Sequence, residues 1–469
     1  MSRQRMWRWA ATSTRLVVGA ALAVGIVGSV GVGVAANWPT HTHDPLAVGV
    51  TPTPADTVLA CAGGLLALGR DATQADQIAS AAPTVTVSGS DGATLTQTTE
   101  PTAPDVVGSD GHPVFVAPPV DEKRSDAAAA ASGAVAAEDL RGFAASACQP
   151  PLIESWLVAG ATTTGSADVI LLSNPSDVAA TVDLTLYSAT GASTPPSGSG
   201  LRVDAHTQRL VPLAALAVGE GAPVVRVTAS GAPIAAALQS SLSRTLLTGG
   251  VEQSGAIVGS ATQQVMPGVR VPQTAVDAAS AGATTLLRLL SPGADATAAV
   301  TVQDDTGRIA LTQEVPLGAD LPTELDLAGL SAGTYTVRVD ATSAVVSAVW
   351  QTTNFNDGAD FAWYTATEPI VGPSVIAVPD GPSPLLVVAG SAAGSADVVL
   401  TPLSGATETE RFRVAAGDTA SVPVEPGAVY RIETSNPVRA SVSYLGDGAI
   451  SAFPVWPADA AAAELIVRP

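Results

Sequence analysis

The chain has 469 residues, 42 acidic and 21 basic, for a formal charge of −21 and an isoelectric point near 4.4. So acidic a chain offers no cationic stripe to displace counterions from a phosphate backbone, which excludes a nucleic-acid binder. Its single lysine, Lys123, follows Glu122, so no Gly-Lys-Ser/Thr phosphate loop exists, and His-Glu-x-x-His, Cys-x-x-Cys and Gly-x-Ser-x-Gly are missing too.

Arg3, Arg5, Arg8 and Arg15 precede an uncharged, apolar run from Leu16 to Ala36. At ~1.5 Å per residue this run would span ~31 Å as a helix, about one hydrocarbon core. Arginines on its amino side, with Trp7, Trp9 and Trp38 at its edges, predict residues 1–15 as a cytoplasmic tail and 16–38 as a transmembrane signal anchor. Val34-Ala35-Ala36 resembles a signal-peptide cleavage site, but the apolar stretch exceeds the ~7–15 residues of a signal core, which favours a retained anchor. Either way the rest of the chain is exported. Gly31-x-Gly33-x-x-Ala36 follows no strand, so it is not read as a dinucleotide fingerprint.

Residues 39–56, with Pro39-Thr40-His41-Thr42-His43 and Thr51-Pro52-Thr53-Pro54, form a Thr/Pro-rich stalk. Proline keeps such a segment extended, and it has little apolar surface to bury. His41 and His43 on that spacer read as solvated linker. Residues 57–150 read as loop-rich, with a strand candidate in Ala82-Pro-Thr-Val-Thr-Val and a short Ala-rich helix over Asp126–Ala137. Cys61 and Cys148, the only cysteines, bracket this region. Beyond a membrane thiols meet an oxidising environment, so the two are expected to pair and to fasten this segment to the first globular module.

From Pro151 onward short alternating strands are punctuated by Gly, Pro, Asn and Asp. Asp168-Val-Ile-Leu-Leu-Ser, Leu286-Leu-Arg-Leu-Leu-Ser and Leu385-Leu-Val-Val-Ala-Gly each lead into a second strand and a turn, at Gly191, Gly307 and Gly405. Val224-Val-Arg-Val-Thr-Ala, Thr336-Val-Arg-Val-Asp-Ala and Val429-Tyr-Arg-Ile-Glu-Thr repeat later in each unit. The turn glycines are 116 and 98 residues apart. That period, with six or seven short strands per unit, predicts an all-β chain of three tandem immunoglobulin-like β-sandwich modules at 151–262, 263–367 and 368–469. Asn354-Phe-Asn-Asp-Gly358-Ala-Asp360 partly resembles a calcium loop but lacks the downstream Glu, and reads as a hairpin tip.

Glu154-Ser-Trp-Leu-Val-Ala-Gly160, Ser173-Asn-Pro175 and Asp360-Phe-Ala-Trp363, with the paired cysteines, resemble an uncharacterised actinobacterial family of membrane-anchored envelope proteins. That family has no established activity. The resemblance implies a cell-envelope location and supplies no functional residue.

The expected function is therefore a non-catalytic envelope protein whose modules scaffold or bind a protein or glycan partner, with no cofactor and no metal. A cell-wall polysaccharide binder is the alternative; exposed indoles would be its platforms, with Trp363 and Trp456 as candidates beside Trp156 and Trp350. An extracellular hydrolase would have to draw on acids such as Asp304, Asp305 and Glu408, or on His206, which has no repeated Ser or Cys partner.

Overall fold

A computed structural model describes residues 17–29, 48–50, 54–69, 77–98, 101–108, 111–121, 123–244, 247–458 and 465–467. The chain divides into two compact units, Met1–Pro52 with Glu464–Pro469, and Thr53–Ala463. In the smaller unit residues 17–29 are helical, and Val48–Val50 pairs antiparallel with Leu465–Val467. Among the described residues no helix is long and apolar enough to cross a membrane. The ends of the expected 16–38 span and most of the 39–56 stalk lie outside the described residues.

The larger unit contains three β-sandwiches of one topology. In the third, Ser374–Ala377, Val429–Thr434, Ala396–Ser404 and Glu410–Val414 form one sheet in that order, and Thr419–Pro423, Leu385–Gly390, Val438–Gly446 and Ala449–Pro454 form the other. The first module repeats this order from Glu154–Leu157 to Leu247–Gly255, and the second from Ala261–Val271 to Phe361–Thr365. In the second module one long strand, Gly333–Thr352, passes through both sheets. The third sandwich thus has eight strands and the first nine, where the repeat suggested six or seven. The three expected turn glycines all have left-handed backbone, with φ of 97°, 85° and 77° at Gly191, Gly307 and Gly405. In Ala180–Ser188 the residues Val182, Leu184 and Leu186 are buried while Thr181 is exposed, the alternation of a strand with one face on a core.

Two sequence expectations are corrected for residues 57–150. The segment is built from three small sheets rather than loops. Ala127–Ala136 is a strand, paired with Val85–Ser90 on one side and Arg141–Ala147 on the other. Alanine's helix propensity is a weak preference. The small methyls instead let this sheet lie close on the third sandwich, where Ala130, Ala145 and Phe143 share one apolar cluster with Ile376, Leu386 and Tyr444. The Cys61–Cys148 disulfide forms and both cysteines are buried. Beside it the backbones of Ala60 and Gln149 exchange two hydrogen bonds of 2.9 Å, and the Gln149 side chain bonds both backbone groups of Ala256. The bridge thus closes the segment on itself, and Gln149 beside it joins the segment to the end of the first sandwich.

The modules are not beads on a string. A single apolar cluster runs through the first and second sandwiches, from Ile170 and Leu184 to Leu289 and Val339, and reaches Ile450 and Ala452 of the third.

Candidate functional site

Two buried polar clusters join the modules. In the first, Arg288 extends from the centre of Thr285–Leu290 into the first sandwich, its side chain only 3% exposed. Its Nε and Nη2 donate to Oε1 of Glu324, the cross-strand neighbour, at 3.2 and 2.9 Å. Nη1 donates to the carbonyls of Gly160 (2.8 Å) and Pro223 (2.9 Å), and Nη2 to that of Gly221 (3.1 Å). A guanidinium has five N–H groups, and all five are used. Its flat face lies 4.6 Å from the Trp363 ring centroid. Arg288 is thus a bolt between sandwiches and has no donor to spare for an anion.

A cleft of about 170 Å3 opens beside it, lined by Asp168, Ser240, Ser241, Trp350 and Trp363 among others. Asp168 is buried, and its carboxyl accepts backbone N–H bonds from Ala161 (2.7 Å) and Ser241 (3.0 Å). Burial nevertheless pushes its pKa up to about 7. A carboxyl whose folded pKa lies above its unfolded value takes up a proton on folding, so its contribution to stability falls as pH rises between the two values. Thermal midpoints are therefore expected to be higher at pH 5 than at pH 8. Asp168→Asn should flatten that slope at some cost in absolute stability, and an unchanged slope would refute the assignment.

The second cluster lies where all three sandwiches and the amino-terminal segment meet. Asp360 is fully buried and precedes Phe361–Thr365. Its Oδ2 accepts from the backbone N–H of Phe143 (3.0 Å) and Ile450 (3.2 Å), its Oδ1 from that of Val251 (3.2 Å), and the Phe361 N–H also bonds it. Gly142 and Gly250 make room, since a Cβ at either would fall within 2.7 Å of Oδ1. Glu252, equally buried, accepts from the Gln253 N–H and from Ser451 Oγ, both at 2.9 Å. Burial raises both carboxyls well above their ordinary range, and the Asp360 charge raises Glu252 further. The four N–H bonds work against burial at Asp360, so of the two acids Asp360 is the better placed to hold a charge. Glu252 Oε2 has no partner among the described residues, which a neutral carboxyl tolerates far better than an ionised one.

The indoles expected as platforms take other places. Trp363 is 5% exposed and covered by Arg288. Trp456 is half-buried, its Nε1 buried without a partner among the described residues. Trp363 does not present the open face that stacking on a polysaccharide requires. Trp350 is half-buried at the cleft instead. Asp304 caps a turn by accepting from Thr306 and Arg308, while Asp305 and Glu408 are exposed. His206 pairs with Asp177 at 2.8 Å on the surface. These candidates sit in three different sandwiches. In the 354–360 loop the carboxylate most like a calcium ligand, Asp360, is spent on backbone N–H groups, and among the described residues no cluster of metal-ligating side chains occurs.

A family of unknown function, DUF5719, matches residues 102–425. The chain belongs to this family. The DUF5719 match includes the whole first and second sandwiches, the cleft and Asp360. No curated protein matches the chain. Among solved structures, the chicken CNTN1 FN1–FN3 domains are similar over 68% of this chain and 100% of theirs, at 12% identity and a TM-score of 0.12. A tetra-tandem repeat from the extending region of a large adhesion protein is similar over 79% of this chain and 90% of its own, at 14% identity and a TM-score of 0.12. The fold assignment rests on the strand pairings and on neither likeness.

Proposed function

We propose that this DUF5719 member is a non-catalytic, membrane-anchored envelope protein. Residues 1–15 lie inside, residues 16–38 anchor the chain, and the fused sandwiches stand outside as a scaffold for an envelope protein or a cell-wall glycan. The observation that carries the reading is the buried Cys61–Cys148 bridge, because structural disulfides belong to oxidising compartments. The apolar run Leu16–Ala36 behind four arginines and the dispersal of candidate catalytic groups over three modules support it.

The test is fractionation of cells expressing the full chain, combined with thiol alkylation before lysis. The chain is expected in the membrane fraction, resistant to alkaline extraction, open to external protease and with both cysteines oxidised. A soluble chain with two alkylatable thiols would overturn the reading. Cys61→Ser with Cys148→Ser is expected to destabilise the body by up to about 4 kcal/mol, the chain-entropy value for so long a loop, read as a lower denaturation midpoint. An unchanged midpoint would remove the structural role of the bridge.

A further inference from the structure

We propose that the cleft between the first and second sandwiches binds one ring of a neutral sugar. This deepens the reading of the body as partner-binding and rests on it. The walls of the cleft differ in chemistry. Half-buried Trp350 supplies the aromatic surface on the second sandwich, with the buried Trp363 and Phe361 also in the lining, and Asp168, Ser240 and Ser241 supply hydroxyl and carboxyl groups on the first. A few convergent polar groups against aromatic walls are the usual composition of a small-molecule site.

The charges narrow the ligand. Arg288 has all its N–H groups engaged and its charge is matched by Glu324, so it offers an anion no donor, and the Asp168 carboxyl adds none. A cation fares no better. Glu324 is neutralised by Arg288, and both Asp168 oxygens already accept backbone N–H bonds. What remains is an uncharged ligand with one apolar face for an indole and hydroxyls that can donate to the lone pairs left on Asp168, Ser240 and Ser241, since the Ser241 hydroxyl itself donates to the Ala167 carbonyl at 2.8 Å. A volume of about 170 Å3 is well below the about 300–1,000 Å3 of pockets for larger ligands, which limits the occupant to a single ring, whether a free sugar or the end of a chain.

The full-length chain in detergent is titrated with D-glucose, D-galactose, D-mannose, D-arabinose and N-acetylglucosamine, following tryptophan emission and the thermal midpoint. At least one of them is expected to shift both signals saturably. D-glucuronate, which adds a charge, is expected to bind at least tenfold more weakly than D-glucose if glucose binds, and otherwise to give no saturable shift. Trp350→Leu is expected to weaken the binding sugar at least tenfold and Ser240→Ala several-fold, with circular dichroism unchanged. Ser240→Ala, a small change, decides the matter if Trp350→Leu does not fold. No saturable response to any of the five sugars, glucuronate binding as well as a neutral sugar, or full affinity in Ser240→Ala would each overturn the proposal. Fractionation tests export separately, so a silent cleft in a membrane-held, oxidised chain refutes the sugar site alone.

Discussion

Asp360→Asn is expected to lower the thermal midpoint of the body by on the order of 10 °C, although the two side chains have nearly the same shape. Asparagine offers one acceptor oxygen where aspartate has two, and its NH2 group would face backbone N–H groups it cannot bond. Whichever way the amide turns, either Val251 or both Phe143 and Ile450 would lose their acceptor. At about 1–3 kcal/mol for each buried orphan, and about 2–4 °C per kcal/mol in a large domain, the loss falls in that range. Glu252→Gln supplies the contrast. If Glu252 carries the proton, an amide in its place changes little, and its midpoint should stay within a few degrees of the parent. Differential scanning calorimetry of both variants decides the matter, and equal losses would refute the division of charge between the two acids.

Arg288→Met should cost about 3–5 kcal/mol, the usual penalty for breaking a buried charged network from one side. The stem of the side chain survives in methionine, but the carbonyls of Gly160, Gly221 and Pro223 lose their donor and Trp363 loses its cover. Because these carbonyls all belong to the first sandwich and Arg288 to the second, the expected signature is loss of coupling. The unfolding endotherm should broaden or split, and limited proteolysis should cut the now unbolted loops around residues 160–165 and 219–222. Arg288→Lys should behave almost as badly, since a single ammonium cannot reproduce a planar fork that spans four acceptors. Full recovery with lysine would show that only the charge matters.

Much of the architecture could be read from residue order. The repeated strand pairs, the turn glycines Gly191, Gly307 and Gly405, and the two cysteines all carry local or countable signals, and all three found their expected places. The Ala127–Ala136 strand misled because its identity is set by what packs on it and not by alanine's own preference. The polar clusters were invisible for a different reason. Asp360 stood out only as the first residue of Asp-Phe-Ala-Trp and the last of the calcium-loop-like 354–360 segment, and its partners Phe143, Val251 and Ile450 are 217, 109 and 90 residues away. Arg288 looked like an ordinary strand arginine until its acceptors in another sandwich were known. One signal was available in hindsight: Gly250-Val-Glu252, Gly358-Ala-Asp360 and Gly448-Ala-Ile450 all begin with a left-handed glycine and lie in or beside the last strand of their sandwich.

Those three tripeptides differ in their final residues, and each difference is used: an acid that gathers backbone N–H groups, an acid that accepts from Ser451, and an isoleucine that gives only its backbone N–H. Three copies of one topology are therefore not interchangeable. Exchanging the first with the third would bring a hydrocarbon where Ser451 now finds its acceptor, and recombination between copies would produce chains that fail to close.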